Sequence, residues 1–185
     1  TTFAITDPTA DRTITFPDSS FTVPTSGGLT TASQWRLTTS FDASVAPIAS
    51  NLEEVDAPVG FGILGSSMTE SAGIFTFPST GYWYITFQHD FYGYVNTWDW
   101  ATFCLIETTT NNSTYASAAD GVSSTGQHNP YNVNGSSSAS YIFDVTDTSN
   151  CKVRFSIGTA VASTTTLGST AYLRTGMTFI KLADT

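Results

Sequence analysis

The stretch Gly73–Phe87 reads GIFTFPSTGYWYITF, and it limits the possible folds more than any other part of the chain. Two runs with a period of two flank a turn. Phe75 and Phe77 share one face of the first run. Pro78-Ser79-Thr80-Gly81 predicts the turn, because Pro presets φ and Gly permits positive φ. In the second run Trp83, Ile85 and Phe87 point one way, and Tyr82, Tyr84 and Thr86 point the other. The first of these faces is wholly apolar. The second carries tyrosines where a solvated strand would carry Lys, Glu or Ser. Such a strand is expected to be covered on both sides, the second cover being another layer or another subunit.

The remaining stretches support a β-rich chain with this hairpin at its centre. Trp35, Leu37, Thr39 and Phe41 alternate with polar residues, as do Tyr141, Phe143 and Val145, and then Val153, Phe155 and Ile157. Further runs are expected over Trp98–Glu107 and Thr170–Leu182, the latter with Gly176 inside it. No segment sustains a helical period, and the nearest candidate, Thr114–Asp120, runs into Gly121. Asp120–Ser138 is rich in Gly, Ser and Asn and reads as a long polar loop. The length of 185 residues suits one domain with an appendage. Residues 1–28 hold Pro8, Pro17 and Pro24 and end in Gly27-Gly28, which predicts an extended segment and linker before a single domain at 29–185.

Charge narrows the function classes. The formal net charge is −9, and the 6 basic residues are scattered. No basic patch forms from them, so nucleic acid is excluded as an expected partner, and an anionic membrane surface would repel the chain. No apolar run is long enough to insert into a bilayer as a helix. Cys104 and Cys151 read as buried free thiols, with a disulfide left open.

Candidate chemistry is sparse. Gly60-Phe61-Gly62-Ile63-Leu64-Gly65 satisfies a dinucleotide fingerprint, but no helix follows it, so a loop is expected. His89 lies beside Asp90 without a nucleophile elbow, and reads as a strand-end residue with a satisfied ring; His128 reads as solvated. Glu53, Glu54 and Asp56 read as a solvated acidic loop. No catalytic residue, metal site or cofactor is expected. Asn111, Asn112 and Asn134 open formal glycosylation sequons that matter only in a secreted eukaryotic protein. The aromatic stretch Phe91–Trp100 offers groups that stack on sugar rings and bond their hydroxyls. For Trp98 and Trp100, packing at a subunit apex or strand core is the expectation. For Tyr92 and Tyr94, packing and ligand contact are both open, with Asn96 and Asp99 available as hydrogen-bonding partners.

Two resemblances follow. The phenylalanine run, the Pro-x-x-Gly turn, the aromatic Gly81 strand and Gly176-Met177-Thr178-Phe179-Ile180 resemble the trimeric jelly-roll heads of complement component 1q and the tumour necrosis factors. That implies an all-β antiparallel sandwich over 29–185 and a homotrimer, with Tyr82, Tyr84 and Thr86 on the face turned toward the threefold axis. Separately, DPTADRTITFPD at Asp7–Asp18 resembles a repeat in tail-fibre shafts of marine and cyanobacterial phages. The two together imply a non-enzymatic virion protein of a tailed phage: a fibre tip, knob or capsid-decorating spike. It would be assembled in the host cytoplasm, contact neighbouring virion proteins through residues 1–28, and act in adhesion, with a host-surface glycan as a candidate partner. Two alternatives stay open: a secreted ligand that binds a receptor, and a polysaccharide depolymerase tip, which would need a catalytic carboxylate pair.

Overall fold

The computed structural model describes residues 28–56 and 63–185. The motif at Asp7–Asp18, the rest of the 1–27 stretch, Pro58 and Gly60-Phe61-Gly62 lie outside the described residues. Among the described residues there are strands and no helix. In chain order these are β1 (Ala32–Leu37), β2 (Phe41–Asp42), β3 (Leu52–Glu54), β4 (Thr69–Ser71), β5 (Ile74–Thr76) and β6 (Gly81–Gly93). Then follow β7 (Asp99–Thr109), β8 (Ala116–Thr125), β9 (Val133–Val145), β10 (Lys152–Thr159), β11 (Thr165–Thr166) and β12 (Gly176–Ala183).

They form two antiparallel sheets. One runs β2-β11-β6-β12-β1-β3, with β9 paired to the other side of β6; the second runs β4-β5-β10-β7-β8. This is the antiparallel sandwich that the resemblance to the trimeric jelly-roll heads implies. Phe75, Phe77, Trp83, Ile85, Phe87, Val153, Phe155 and Ile157 are all buried between the layers. Phe75 meets Phe155 edge-on with centroids 5.5 Å apart, and Phe179 lies tilted 5.2 Å from Phe75. Such ring pairs add to the transfer free energy of their buried area. Cys104 and Cys151 are buried in this core as free thiols.

Several expectations need correction. The stretch Gly73–Phe87 is not a hairpin, because β5 belongs to one sheet and β6 to the other. Periodicity identifies the buried face of each run but not its layer, and both faces point into the same core. Residues 78–80 carry the chain across, and Gly81 enters β6 at φ 136°, where a Cβ would lie 2.4 Å from the Ala183 carbonyl. Gly176 opens β12 and is not mid-strand. Most of Asp120–Ser138 is strand: β8 continues to Thr125 and β9 starts at Val133. These strands escaped notice because their inward positions are filled by Thr125, Ser137 and Ala139, too small or polar to register as a hydrophobic face.

Glu53 and Glu54 lie in β3 and not in a solvated loop, whereas Asp56 is exposed just beyond that strand. Arg36 is 1% exposed, its Nε donates to Glu53 at 2.7 Å, and its Nη2 donates to Asp56 at 2.6 Å. Glu54 accepts from the Ser67 hydroxyl. A buried guanidinium needs such carboxylates, since its desolvation is otherwise uncompensated.

Candidate functional site

The outward face of the β6 sheet is graded from apolar to polar. Backbone register sets it out in rows. At the start of β6, Ile142, Tyr84, Ile180, Ala32 and Leu64 stand side by side across β9, β6, β12, β1 and the chain before β4. Ile142 is 55% exposed, and Leu64 and Tyr82 are also exposed. One step along β6, Thr86 is flanked by Ser140 and Thr178, and Gln34 donates to the Thr178 hydroxyl at 3.0 Å. Farther on, Gln88 faces Ser138, Asp90 faces Ser136, and Tyr92 faces Asn134. The residues Tyr82, Tyr84 and Thr86 therefore share one face, as the alternation predicts, and lie at its apolar end. The sequence reading overlooked Ile142, although an isoleucine between Tyr141 and Phe143 was a signal of an apolar outer position.

Beyond the polar end of this face the chain builds a tip from two loops. The Asn96 amide donates to the His128 carbonyl at 3.0 Å, and the Gln127 side-chain amide donates back to the Asn96 carbonyl at 3.0 Å. The Val95 amide donates to Asn132 Oδ1 at 3.0 Å. Asn96 adopts φ 59°, which an Asn tolerates better than most residues. The β6–β7 and β8–β9 loops are thus one unit. It displays Tyr94 (53% exposed), Tyr131 (68%) and His128, whose ring stacks on Tyr131 at 5.9 Å.

Trp98 and Trp100 are each 64% exposed, so they are not in a strand core. The residue between them is the buried one. Asp99 accepts amide hydrogens from Ala101 (3.2 Å) and Ala160 (3.3 Å) at Oδ1. At Oδ2 it accepts the hydroxyls of Thr102 (2.9 Å) and Thr164. This corrects its assignment as a ligand contact: both oxygens are committed inside, and the residue anchors the start of β7. Strand alternation then sends both neighbouring indoles outward. Tyr92 is half-buried and Asn96 is exposed.

His89 is interior to β6, not at a strand end. Its Nδ1 lies 3.2 Å from Ser137 Oγ and its Nε2 3.0 Å from Thr166 Oγ1, and it stacks on Phe91 at 4.9 Å. Burial pushes its pKa down to about 4. The ring is therefore neutral and enclosed. Among the described residues, no three His, Cys, Asp or Glu side chains gather as a metal group would require.

No family model matches the chain, and no curated protein matches it in sequence. Solved structures do match in fold. The structure of Eiger TNF from S. frugiperda aligns at TM-score 0.59 and 12% identity, covering 83% of this chain and 93% of that one. Murine APRIL at pH 5.0 aligns at 0.55 and 12% identity, covering 82% and 98%. Murine APRIL at pH 8.5 aligns at 0.54 and 13% identity with the same coverage, 82% and 98%. The fold is thus the jelly roll of the tumour-necrosis-factor proteins.

Proposed function

We propose that the chain is a non-enzymatic head domain that assembles as a homotrimer and acts in adhesion or decoration on the virion of a tailed phage. The observation that carries the assembly is the apolar row Ile142–Tyr84–Ile180–Ala32–Leu64 on the outward face of a sheet whose inward face is already packed. A contiguous apolar surface of this kind is usually an interaction surface. Likeness in fold to Eiger TNF and APRIL supports the same reading. The virion part is supported by the motif at Asp7–Asp18, which would join the head to neighbouring virion proteins. Contact with a host-surface glycan is assigned to the tip, where Tyr94 and the indoles of Trp98 and Trp100 offer stacking surfaces.

A second reading is a secreted ligand for a protein receptor, supported by the likeness in fold to Eiger TNF and APRIL. Binding of the purified protein to intact bacterial cells separates the two. Adsorption that persists in molar salt is expected of the adhesion reading, because aromatic and hydrogen-bonded contacts are screened far less than charge contacts. Particles that incorporate the protein only when residues 1–28 are present would support the virion role. No cell adsorption, no incorporation and no trimer would remove the proposal.

A further inference from the structure

The polar end of the outward face is concave. One cavity of about 440 Å³ is lined by Gln88, Asp90, Ser136 and Ser138 with Val122. A second, of about 330 Å³, is lined by Asp90, Asn134, Ser136 and Arg174. Asp90 and Ser136 line both, so the two form one groove along β6 and β9. Each volume lies in the range of small-ligand sites.

The chemistry of the groove is specific. Asp90 is half-buried, and its backbone is pinned: its amide donates to Thr175 Oγ1 at 3.2 Å, and its carbonyl accepts from Leu167 N at 2.8 Å. No donor among the described residues reaches its carboxylate. Arg174 stands over the Tyr172 ring at 5.2 Å and hydrogen-bonds its hydroxyl at 3.3 Å. That bond and the Asp90 charge both favour its protonated form. The groove thus sets an acceptor-only carboxylate and a donor-only guanidinium among Gln, Asn and Ser groups that can do either.

We propose that this groove binds a neutral saccharide, with Asp90 accepting hydrogen bonds from vicinal hydroxyls and Arg174 and Asn134 donating to them. The proposal rests on the adhesion reading above and adds a sugar contact in the sheet to the one at the tip. A hydroxyl is both donor and acceptor, so a row of them can satisfy this mixture without leaving a charge unpaired. A phosphate or sulfate would meet the Asp90 carboxylate, and the chain as a whole carries −9. A cation would find a single carboxylate where hard cations take six or more oxygens. Tyr92 follows Asp90 on the same face, and its register partner Asn134 lines the groove.

The test is calorimetric titration of the full chain with trisaccharides of glucose, galactose, mannose and N-acetylglucosamine, with glycine and inorganic phosphate alongside. Saturable binding of at least one trisaccharide at one site per protomer is expected. Asp90→Asn and Ser136→Leu should each weaken it about tenfold or more, the first by losing charge-assisted bonds and the second by filling the shared wall. Tyr94→Ala, outside the groove lining, is titrated alongside to separate the tip from the groove. Equal melting temperatures for the variants establish that they are folded, and two substitutions of different character guard against one failing. Absence of saccharide binding, unchanged affinity in both groove variants, or competition by glycine or phosphate overturns the proposal. If Tyr94→Ala abolishes sugar binding while Asp90→Asn does not, the groove is wrong and the adhesion reading stands. If the groove binds sugar but Asp90→Asn adsorbs to cells as the parent does, the groove stands and the glycan-adhesion reading falls.

Discussion

Phe87 and Phe155 come from opposite sheets and meet at the centre of the sandwich, their ring centroids 5.1 Å apart. Both are buried, and Phe155 also packs edge-on against Phe75. Replacing either with Ala removes a ring from a site whose strands hold their spacing. The expected loss is about 3–5 kcal/mol per protomer, measured by denaturant unfolding. The double variant should lose less than the sum, because the two rings contact each other. A loss below about 1 kcal/mol for either would contradict the packing described.

Tyr84→Asp tests the assembly. In the row Ile142–Tyr84–Ile180 a carboxylate would be carried into the proposed seam without a partner. The parent should sediment as a trimer at micromolar concentration, and the variant as a folded monomer or not at all. Thr86→Asp, one row toward the polar end, should weaken assembly less. A parent that is monomeric in light scattering would end the trimer proposal.

The buried imidazole predicts an acid limit. His89 has its pKa lowered to about 4 by burial, whereas in the unfolded chain it stays near the ordinary imidazole value of 6.5. Between these values the unfolded state binds more protons, so stability falls as pH falls from about 6.5 to about 4 and levels off below. The contribution lost over this window is about 3 kcal/mol, at 1.36 kcal/mol per pKa unit. His89→Gln should flatten that part of the stability–pH curve, even if it lowers the curve as a whole. Equal slopes in parent and variant between pH 4 and 6.5 would show that the ring is not held neutral.

Asp99→Ala tests the anchor of the tip. Four donors converge on its two oxygens from Ala101, Thr102, Ala160 and Thr164. Leaving them without an acceptor should cost about 2–3 kcal/mol. Asp99→Asn keeps one oxygen and offers an amide to the two hydroxyls, so it should cost less. Tryptophan fluorescence reads the local effect, since two of the four tryptophans flank this residue. A shifted emission in the Ala variant and a parent-like one in the Asn variant are expected.

The strands and their buried faces were legible because period-two alternation is a direct image of strand geometry: Trp83, Ile85 and Phe87 announce a buried face in any context. Which layer a run joins is decided by non-local pairing, so β5 and β6 read as a hairpin although a sheet boundary separates them. β8 and the first half of β9 were hidden because a strand can be built from Ser, Ala and Gly when its neighbours supply the bulk. The tip was legible as composition but not as orientation. Asp99 looked like a hydrogen-bonding group for a ligand, and only the Thr164 hydroxyl and Ala160 amide, some sixty positions away, turn it inward. The Asp90–Arg174 groove carried no signal in the chain, since its walls come from strands that are adjacent only after folding.

The position of β12 has a consequence for how the chain acquires its structure during synthesis. This strand lies between β6 and β1, and the Gln34–Thr178 bond joins residues 144 positions apart. Until β12 has emerged from the ribosome, β6 lacks a neighbour along half its length, and β1 is paired on one side only, to β3 and through Ala32 to Leu64. Before β12 joins, the chain therefore carries unpaired strand edges and exposed phenylalanines. Closure of so large a loop must precede the contacts that reward it, which slows folding.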